Sequence, residues 1–416
     1  MNYNIRELEK YCEEIEGIVH DIGLDCYEQE FEIISYEDMI GYATYLGMPS
    51  HYPHWSLGKN YERLKTYYSH NLTGIPYEMV INSNPCLAYL MKDNSLTLQI
   101  LTMAHVYGHN DFFKNNYLFK EYTDSSWSIM MFKTHADRVR RYIQDPSIGY
   151  NEVERVLDAA HSIKFYCGLT HDITLPTGNL LEFLLCYGDL NDWEKDLLTI
   201  VMQENRYFLP QLETKVMNEG WASFWHYTIF KRLKLDSSKN FEFFTIHNNV
   251  ISPTAGALNP YYLGFKIWEH IYNTQTIDTM FAIRELNNDS SFIRNYLTYE
   301  ICNDSQLYSY QEEDKYHIIS EVSNIDGWKQ VRDTLIKTIG SNSIPRIEVV
   351  DWQKKCHVLS LQHIWDGREL NLSYATETLK YIQTLWGGEV ILNTQFAGIK
   401  RQIVCDVNKK VLIQNE

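Results

Sequence analysis

The spacing of apolar residues over the first 300 positions predicts a succession of amphipathic helices. Near the N-terminus, Ile5, Leu8, Cys12, Ile15 and Val19 recur every three or four residues among charged side chains, which is the period of one helix face. Charges at this density are not typical of a signal peptide. No later stretch offers the 18 consecutive apolar residues expected of a transmembrane helix, so we predict a helical protein without a membrane span.

Capping and turn residues indicate where individual elements begin. Ser35 followed by Asp38 matches a capping box that opens a helix. The run Ile75–Ile81, IPYEMVI, is rich in apolar and β-branched residues and precedes Asn84-Pro85, which predicts a short strand and a turn. The same kinds of signal predict helices from Ser95 to Asn116, from Asp192 onwards and from Pro210 onwards.

The character of the chain changes near residue 303. Strand-like runs follow at Tyr316–Val322, Arg346–Val350, His357–Leu361, Glu389–Leu392 and Ile403–Val407, and helices are predicted at Trp328–Thr338 and Ala375–Leu385. We therefore predict a mainly α protein with a small β-sheet. Residues 1–302 would form a helical main domain and residues 303–416 a smaller C-terminal α/β or α+β domain.

Composition and charge narrow the range of functions. The 416 residues carry a formal net charge of −17, and such an acidic chain repels phosphate backbones, so nucleic acid is excluded as a partner. The eight cysteines are scattered without a CxxC pair, which is typical of reduced thiols and predicts a cytoplasmic protein. Thirty-one tyrosines predict an aromatic core whose polar tips are hydrogen-bonded.

Two histidines in the helix predicted from Ser95 are the first candidates for chemistry. His105 and His109 occur in the run LQILTMAHVYGHNDFFKNN. Residues four apart share one helix face, so the two imidazoles can bind one metal ion. The pair alone is a weak signal, because both histidines also lie on an apolar stripe and can be hydrogen-bonded core residues.

A second segment strengthens the metal hypothesis. Asn218, Glu219, Gly220, Trp221 and Ala222 resemble the sequence from which helical zinc peptidases of the gluzincin type take their third ligand. A carboxylate added to two histidines completes the three protein ligands usual for catalytic zinc. The resemblance implies a gluzincin-like main domain with zinc held by His105, His109 and Glu219.

His226 follows Glu219 by seven residues, so it faces the same side of the helix two turns later. It is a candidate fourth ligand, or a catalytic residue that stabilises the oxyanion.

The residue after the first histidine argues against ordinary peptidase chemistry. Zinc peptidases with an HExxH sequence use the glutamate at that position as general base, whereas this chain has Val106. Glu204, Asp111 and Asp137 are alternative bases. We predict Glu204 as the catalytic base because it lies just before the Glu219 segment, although a carboxylate at the surface or capping a helix is an equally ordinary interpretation.

The larger set of motifs resembles the stage V sporulation protein R family. The runs that carry the resemblance lie between residues 82 and 272: NSNPCLAYLMKDNSLTLQILTMAHVYGHNDFFKNN, HADRVRRYI, DLLTIVMQENRYFLPQLETKVMNEGWASFWHY and NPYYLGFKIWEHI. The resemblance implies a bacterial cytoplasmic protein involved in forming the spore cortex, a peptidoglycan layer. It also implies a pathway shared with a serine kinase of the AAA+ type.

Three functions remain open on these grounds. The first is a metal-dependent hydrolase of amide bonds that acts on a peptide or peptidoglycan precursor. The second is a non-catalytic regulatory or scaffold protein that has a structural metal and binds a kinase or a cortex-assembly protein. The third is an oxygen-dependent iron enzyme, because two histidines and one carboxylate also form a facial triad.

Overall fold

The computed structural model describes residues 3–69, 78–166, 179–253, 258–313, 316–353 and 356–415. Within these ranges the chain is mainly helical and contains three small sheets, as the apolar pattern predicts. Part of the predicted strand Ile75–Ile81, residues 75–77, lies outside the described residues. Among the helices of the described part, none has both the length and the hydropathy needed to cross a membrane.

The elements follow one another along the chain with helices dominating the first 300 residues. The helices are α1 (Ile5–Ile22), α2 (Tyr36–Thr44), α3 (Trp55–Ser69), α4 (Leu96–Asn115), α5 (Tyr117–Tyr122), α6 (Ser128–Gln144), α7 (Gly149–Ser162), α8 (Leu180–Tyr187), α9 (Asp192–Glu213), α10 (Lys215–Arg232), α11 (Ser237–Val250), α12 (Pro260–Thr274), α13 (Ile277–Leu286), α14 (Asp289–Tyr296), α15 (Tyr299–Asp304), α16 (Trp328–Thr338) and α17 (Leu372–Trp386). The strands are β1 (Gln29–Ile34), β2 (Glu78–Ile81), β3 (Cys86–Met91), β4 (Tyr308–Glu313), β5 (Tyr316–Val322), β6 (Ile347–Gln353), β7 (Val358–His363), β8 (Glu389–Phe396), β9 (Ile399–Cys405) and β10 (Val411–Asn415).

The chain forms two compact units, each built from separated stretches of sequence. The first unit comprises Met1–His51, Trp55–Phe132 and Leu209–Asn342, and the second comprises Tyr52–His54, Lys133–Phe208 and Ser343–Glu416. The predicted boundary at residue 302 differs from this division, because residues 303–342 belong to the first unit. A change in composition along the chain cannot reveal a unit that the chain leaves and later re-enters.

The sheet of the first unit has the strand order β1-β3-β2. Strand β3 lies in the centre and pairs in parallel with β1 and antiparallel with β2, where Glu78 is opposite Leu90. Strand β2 is therefore an outer strand of this sheet, which agrees with the strand predicted at the end of Ile75–Ile81. Strands β4 and β5 form a separate antiparallel pair in the same unit.

The second unit carries a five-stranded sheet in the order β10-β9-β8-β7-β6. Strands β7 and β8 pair in parallel, and α17 connects them, since a parallel pair needs a crossover connection. The other neighbouring strands in this sheet are antiparallel. The strands and the two helices predicted for the C-terminal region are confirmed, with small shifts at their ends.

Side-chain caps stabilise the N-termini of α4 and α10, the two helices that carry His105, His109 and Glu219. The Ser95 side chain accepts a hydrogen bond from Leu98 N and so starts α4, close to the predicted position. Helix α10 has no side-chain cap from its own N-cap residue. Instead, Asp289 of α14 accepts hydrogen bonds from Val216 N and Met217 N, both at 2.8 Å, and satisfies two donors that a helix N-terminus leaves open.

The prediction that Pro210 starts a helix is wrong. Pro210 lies inside the last turn of α9, and the break comes four residues later at Thr214. Proline keeps a helical φ but lacks the backbone N–H, so α9 continues to Glu213 without the helical hydrogen bond that Pro210 would otherwise donate. The helix that carries Glu219 begins at Lys215.

The core of the first unit is rich in aromatic side chains, as the composition predicts. Trp221, Trp225 and Trp268 are fully buried, and the ring centroids of Trp221 and Trp268 are 4.7 Å apart. Two of the three indole N–H groups have hydrogen-bond acceptors, as expected of buried tryptophans, whereas Trp225 Nε1 has none among the described residues. Trp268 Nε1 donates to Met217 O at 3.0 Å, and Trp221 Nε1 donates to Asp111 Oδ2 at 2.9 Å.

Candidate metal centre

Helix α4 presents the two predicted histidines side by side in the interior of the first unit. His105 and His109 are 0% and 4% exposed, and their ring centroids are 4.6 Å apart. The four-residue spacing places both rings on one face, as predicted. Almost every side chain of α4 is buried, so the helix is a fixed support for these two rings.

Helix α10 brings Glu219 to this pair because the two helices pack closely. A Cβ atom on Gly108 would lie 2.6 Å from the Cα of Ala222, so glycine is what permits this approach. Glu219 Oε2 lies 3.5 Å from His109 Nε2 and 3.9 Å from His105 Nε2. The structure therefore brings His105, His109 and Glu219 together.

A fourth residue of the site, Glu78, was not predicted from the sequence. It is the first residue of β2, and its Oε1 lies 3.1 Å from His105 Nε2 and 4.0 Å from His109 Nε2. The ligand atoms of Glu78, His105 and His109 all lie within 4.8 Å of one another. The available signal was a single carboxylate within the apolar run IPYEMVI.

The donor set fits a divalent cation. Glu78 Oε2 and Glu219 Oε2 are both buried and form no hydrogen bond among the described residues. A buried carboxylate oxygen without a partner is costly, whereas a cation between the two carboxylates and the two imidazoles would satisfy both. Nitrogen and oxygen donors of this kind are compatible with zinc and with other first-row divalent metals, so the donor set does not single out zinc.

The electrostatic environment of His105 suits metal binding. Burial lowers the pKa of His105 to about 4, so this ring is neutral at neutral pH and offers a lone pair. Burial and the charge of Glu219 raise the pKa of Glu78 well above its usual value. Burial also acts to raise the pKa of Glu219, but the neighbouring His105 and His109 lower it below its usual value.

Asn218 orients the second histidine. His109 Nδ1 lies 2.8 Å from Asn218 Oδ1. An amide oxygen only accepts, so Nδ1 carries the proton and donates it. The lone pair of the neutral ring is then on Nε2, which faces the carboxylates. This is the usual way in which a protein fixes the tautomer of a histidine ligand.

We expect Asn218→Ala to weaken metal binding by about 10- to 100-fold, since the loss of such a partner has this effect on metal sites. Competition with a fluorescent chelator measures the change. The matched control is Ser223→Ala on the same helix, where the buried Ser223 hydroxyl has no hydrogen-bond partner among the described residues. Equal affinities of wild type and Asn218→Ala would contradict this role for Asn218.

His226, the predicted fourth ligand or oxyanion-stabilising residue, lies behind His105. Its Nδ1 is 2.8 Å from His105 Nδ1, and its Nε2 is 2.7 Å from His247 Nδ1. Both ring nitrogens therefore contact other histidines, and neither is left to bind a metal ion or a substrate. Seven residues rotate the helix back to the same side but also advance it about 10 Å, which carries His226 past the carboxylates.

Glu204, the predicted base, belongs to the second unit, where its Oε1 lies 3.1 Å from His135 Nδ1. Asp137 is in the same unit and pairs with Arg140. Among the described residues, the carboxylates that contact His105 and His109 are Glu78 and Glu219.

Asp111, the remaining candidate base, supports the site instead of entering it. Its carboxylate accepts hydrogen bonds from Asp25 N, Trp221 Nε1 and Arg284 Nη1 at 2.7 to 2.9 Å. Asp111 lies two residues after His109, and Trp221 lies two residues after Glu219. The bond between them fixes the register of α4 against α10.

Comparison with known proteins assigns the chain to a family. The model of the family described as SpoVR like protein matches residues 2–175 and 167–344, and that of the SpoVR-like C-terminal domain matches residues 345–397. The chain belongs to the SpoVR family. A relative in Escherichia coli (strain K12), described as uncharacterized protein YcgB, is 33% identical over 473 aligned residues, covering 93% of this chain and 92% of the relative.

No solved structure matches this SpoVR chain.

The two family matches confirm, over nearly the whole length, the resemblance to the stage V sporulation protein R family that the sequence motifs indicated. The boundary between the two SpoVR family matches, at residues 344 and 345, agrees with the start of the last stretch of the second unit at Ser343.

Proposed function

We propose that this protein is a metal-dependent hydrolase of amide bonds, with His105, His109 and Glu219 as metal ligands and Glu78 as the proton acceptor. The single observation that carries the proposal is the position of Glu78. It supplies a carboxylate within reach of both imidazoles, although Val106 occupies the helix position where zinc peptidases of the HExxH type have their general base. The inventory of two histidines and two glutamates is then the same as in those enzymes.

Val106 leaves α4 without a proton acceptor at the position where HExxH peptidases have their glutamate. Its side chain is fully buried and has no group that accepts a proton. Glu78 comes from β2, and its Oε1 lies 3.1 Å from His105 Nε2 and 4.0 Å from His109 Nε2. Burial and the charge of Glu219 raise the pKa of Glu78, so its carboxylate accepts a proton more readily than that of an exposed glutamate.

The residues have distinct parts in the proposed reaction. A divalent cation bound by His105, His109 and Glu219 would polarise the scissile carbonyl and make water a better nucleophile. Glu78 accepts the proton of the attacking water and delivers it to the leaving amine. The Tyr261 side chain hydrogen-bonds to Glu219, and its ring stacks on His105 with centroids 6.2 Å apart, so it holds both ligands in place.

The substrate would be an extended peptide or the peptide part of a peptidoglycan precursor. Strand β2 is an outer strand in the described sheet, and an outer strand can add an extended substrate through backbone hydrogen bonds. Glu78 begins this strand, so a peptide paired with β2 would pass the metal centre. The family resemblance supports a role in spore cortex formation, and the resemblance of Asn218–Ala222 to the zinc-peptidase motif supports a gluzincin-like arrangement of the main domain.

Metal analysis tests the centre itself. We expect near-stoichiometric divalent metal in untagged wild-type protein by elemental mass spectrometry, and its loss in His105→Ala and in Glu219→Ala. The elements detected also identify the metal, which separates zinc from the iron of an oxygen-dependent enzyme. A metal-free wild type that stays metal-free after incubation with zinc, manganese and iron salts would end the proposal.

Glu78→Gln tests the role of the base. A positioned general base contributes about 10² to 10⁴ in rate, so we expect the variant to lose at least about 100-fold of the hydrolysis of a peptide library while keeping its metal and its melting temperature. Glutamine keeps the size of the side chain and cannot accept the proton. Unchanged turnover in Glu78→Gln would contradict the proposed role.

A second candidate function, a non-catalytic one, is favoured by the number of side chains that can bind the metal ion. Two histidines and two glutamates give four ligands, and sites closed by four protein ligands are typically structural. The protein would then be a non-catalytic regulator that binds a kinase of the AAA+ type or a cortex-assembly protein. Under this alternative, Glu78→Gln loses metal and stability together, and wild type hydrolyses no peptide.

A further inference from the structure

Three buried imidazoles form a continuous chain that leads away from the metal centre. His105 Nδ1 lies 2.8 Å from His226 Nδ1, and His226 Nε2 lies 2.7 Å from His247 Nδ1. The three rings come from α4, α10 and α11, and each is at most 2% exposed. Neither the candidate ligand set nor the proposed reaction uses His247.

Aromatic side chains hold the far end of the chain in place. The Tyr227 ring stacks on His247 with centroids 4.9 Å apart and an interplanar angle of 27°. Phe243 stacks on the same ring at 5.7 Å, and Phe265 contacts it edge-on at 5.3 Å. A ring enclosed in this way cannot turn freely, so the hydrogen-bond direction can change only by exchanging which nitrogen carries the proton.

The number of ring protons allows two hydrogen-bond arrangements of the three imidazoles. A neutral imidazole has one N–H and one lone pair, and each of the two contacts needs one donor and one acceptor. In the outward arrangement, His105 Nδ1–H donates to His226, and His226 Nε2–H donates to His247. In the inward arrangement, His247 donates to His226, His226 donates to His105, and His105 carries its proton on Nε2, 3.1 Å from Glu78 Oε1.

Metal binding is compatible with one of these arrangements. A histidine ligand coordinates through a deprotonated nitrogen, so His105 can bind a cation through Nε2 only when its proton is on Nδ1. That condition is met in the outward arrangement and fails in the inward one. Because each ring keeps one proton in both, the change is a shift of tautomers along the chain without a change of charge.

We propose that His226 and His247 are positioning residues of the metal centre, and that cation binding at His105 sets the three-imidazole chain in the outward arrangement. This inference rests on the proposed metal centre and adds to it a connection between the metal and α11. His226 and His247 act through His105 and do not touch the metal. The tautomer of His247 then depends on whether a cation is bound at His105, and the two hydrogen bonds between these rings transmit the change.

Nitrogen-15 NMR of histidine-labelled protein tests this directly. Two-bond nitrogen–proton spectra distinguish the Nδ1–H from the Nε2–H form, and Zn²⁺ alone is the probe. We expect His226 and His247 to change from Nδ1–H to Nε2–H when Zn²⁺ is added to metal-free protein. Coordination of His105 with no change at His226 and His247 would overturn the inference and leave the metal centre intact. Failure of Zn²⁺ to bind would overturn both.

Two substitutions at His247 provide an independent readout. His247→Phe keeps a ring between Tyr227 and Phe243 but cannot accept the His226 proton, so we expect at least about 10-fold weaker Zn²⁺ binding. His247→Gln retains an acceptor and should keep most of the affinity, and Tyr227→Phe is the control for packing. Equal affinity of His247→Phe and wild type, or equal loss in both His247 variants, would count against the proposal. None of these measurements depends on hydrolysis.

Discussion

Asp111→Ala is expected to lower the free energy of unfolding by about 3–5 kcal/mol, the usual effect of removing one partner from a buried ion pair. Asp111 and Arg284 are 0% and 6% exposed, and Arg284 Nη1 donates to Asp111 Oδ1 at 2.7 Å. The substitution leaves the Arg284 charge buried without its counter-ion and removes the acceptor of Trp221 Nε1. Urea denaturation of metal-free protein at pH 7.5 measures the change.

A neighbouring ion pair provides the control for this experiment. Glu285 follows Arg284 and pairs with Lys120 at 3.0 Å, but both side chains are nearly half exposed. Exposed pairs contribute about 0–1 kcal/mol, so Glu285→Ala should change stability little. A loss below about 1 kcal/mol in Asp111→Ala would show that the contacts of Asp111 do not stabilise the first unit.

Gly220→Ala is expected to destabilise the protein by about 3 kcal/mol, at the upper end of the usual overpacking effect, and to remove the bound metal. A Cβ at Gly220 would lie 2.3 Å from the carbonyl carbon of Gly264 on α12, so backbone must move. Helix α10 cannot retreat toward α4, because Gly108 and Ala222 already touch there. Glu219 would therefore lose its position beside the histidines.

A glycine without neighbours separates this steric effect from the general effect of alanine in a helix. Gly17 lies in α1, and no atom would come within 4 Å of an added Cβ. Gly17→Ala should stabilise the protein by about 0.5–1 kcal/mol and keep the metal. Thermal unfolding and elemental analysis of both variants give the comparison, and a Gly220→Ala protein that keeps metal and stability would refute the packing argument.

Local patterns in the sequence predicted the parts of the site that depend on one helix. The capping serine and the apolar period placed α4, and the four-residue spacing placed His105 and His109 on one face. Glu219 was predicted from its motif, but its distance from the histidines depends on helix packing. The glycines at the α4–α10 and α10–α12 contacts decide that packing, and their effect is visible only when the partner helix is known.

Residues whose positions depend on distant parts of the chain could not be predicted in the same way. Glu78 reaches the site because β2 pairs with β3, and strand pairing of this kind is not encoded in the spacing of IPYEMVI. His226 was predicted to face the metal from its angular position alone, without the rise along the helix. Glu204 was chosen because it precedes Glu219 closely in sequence, yet the chain assigns these residues to different compact units.

The division of the chain also has a consequence for biosynthesis. Most of the stretch between α4 and α10 belongs to the second unit, and 109 residues separate His109 from its partner Asn218. At a translation rate of about 5–20 residues per second, the histidines leave the ribosome roughly 5–20 s before Glu219. The cap of α10 by Asp289 arrives later still. The nascent chain therefore contains His105 and His109 before it has the carboxylate and the cap, so the candidate metal centre is complete only late in synthesis.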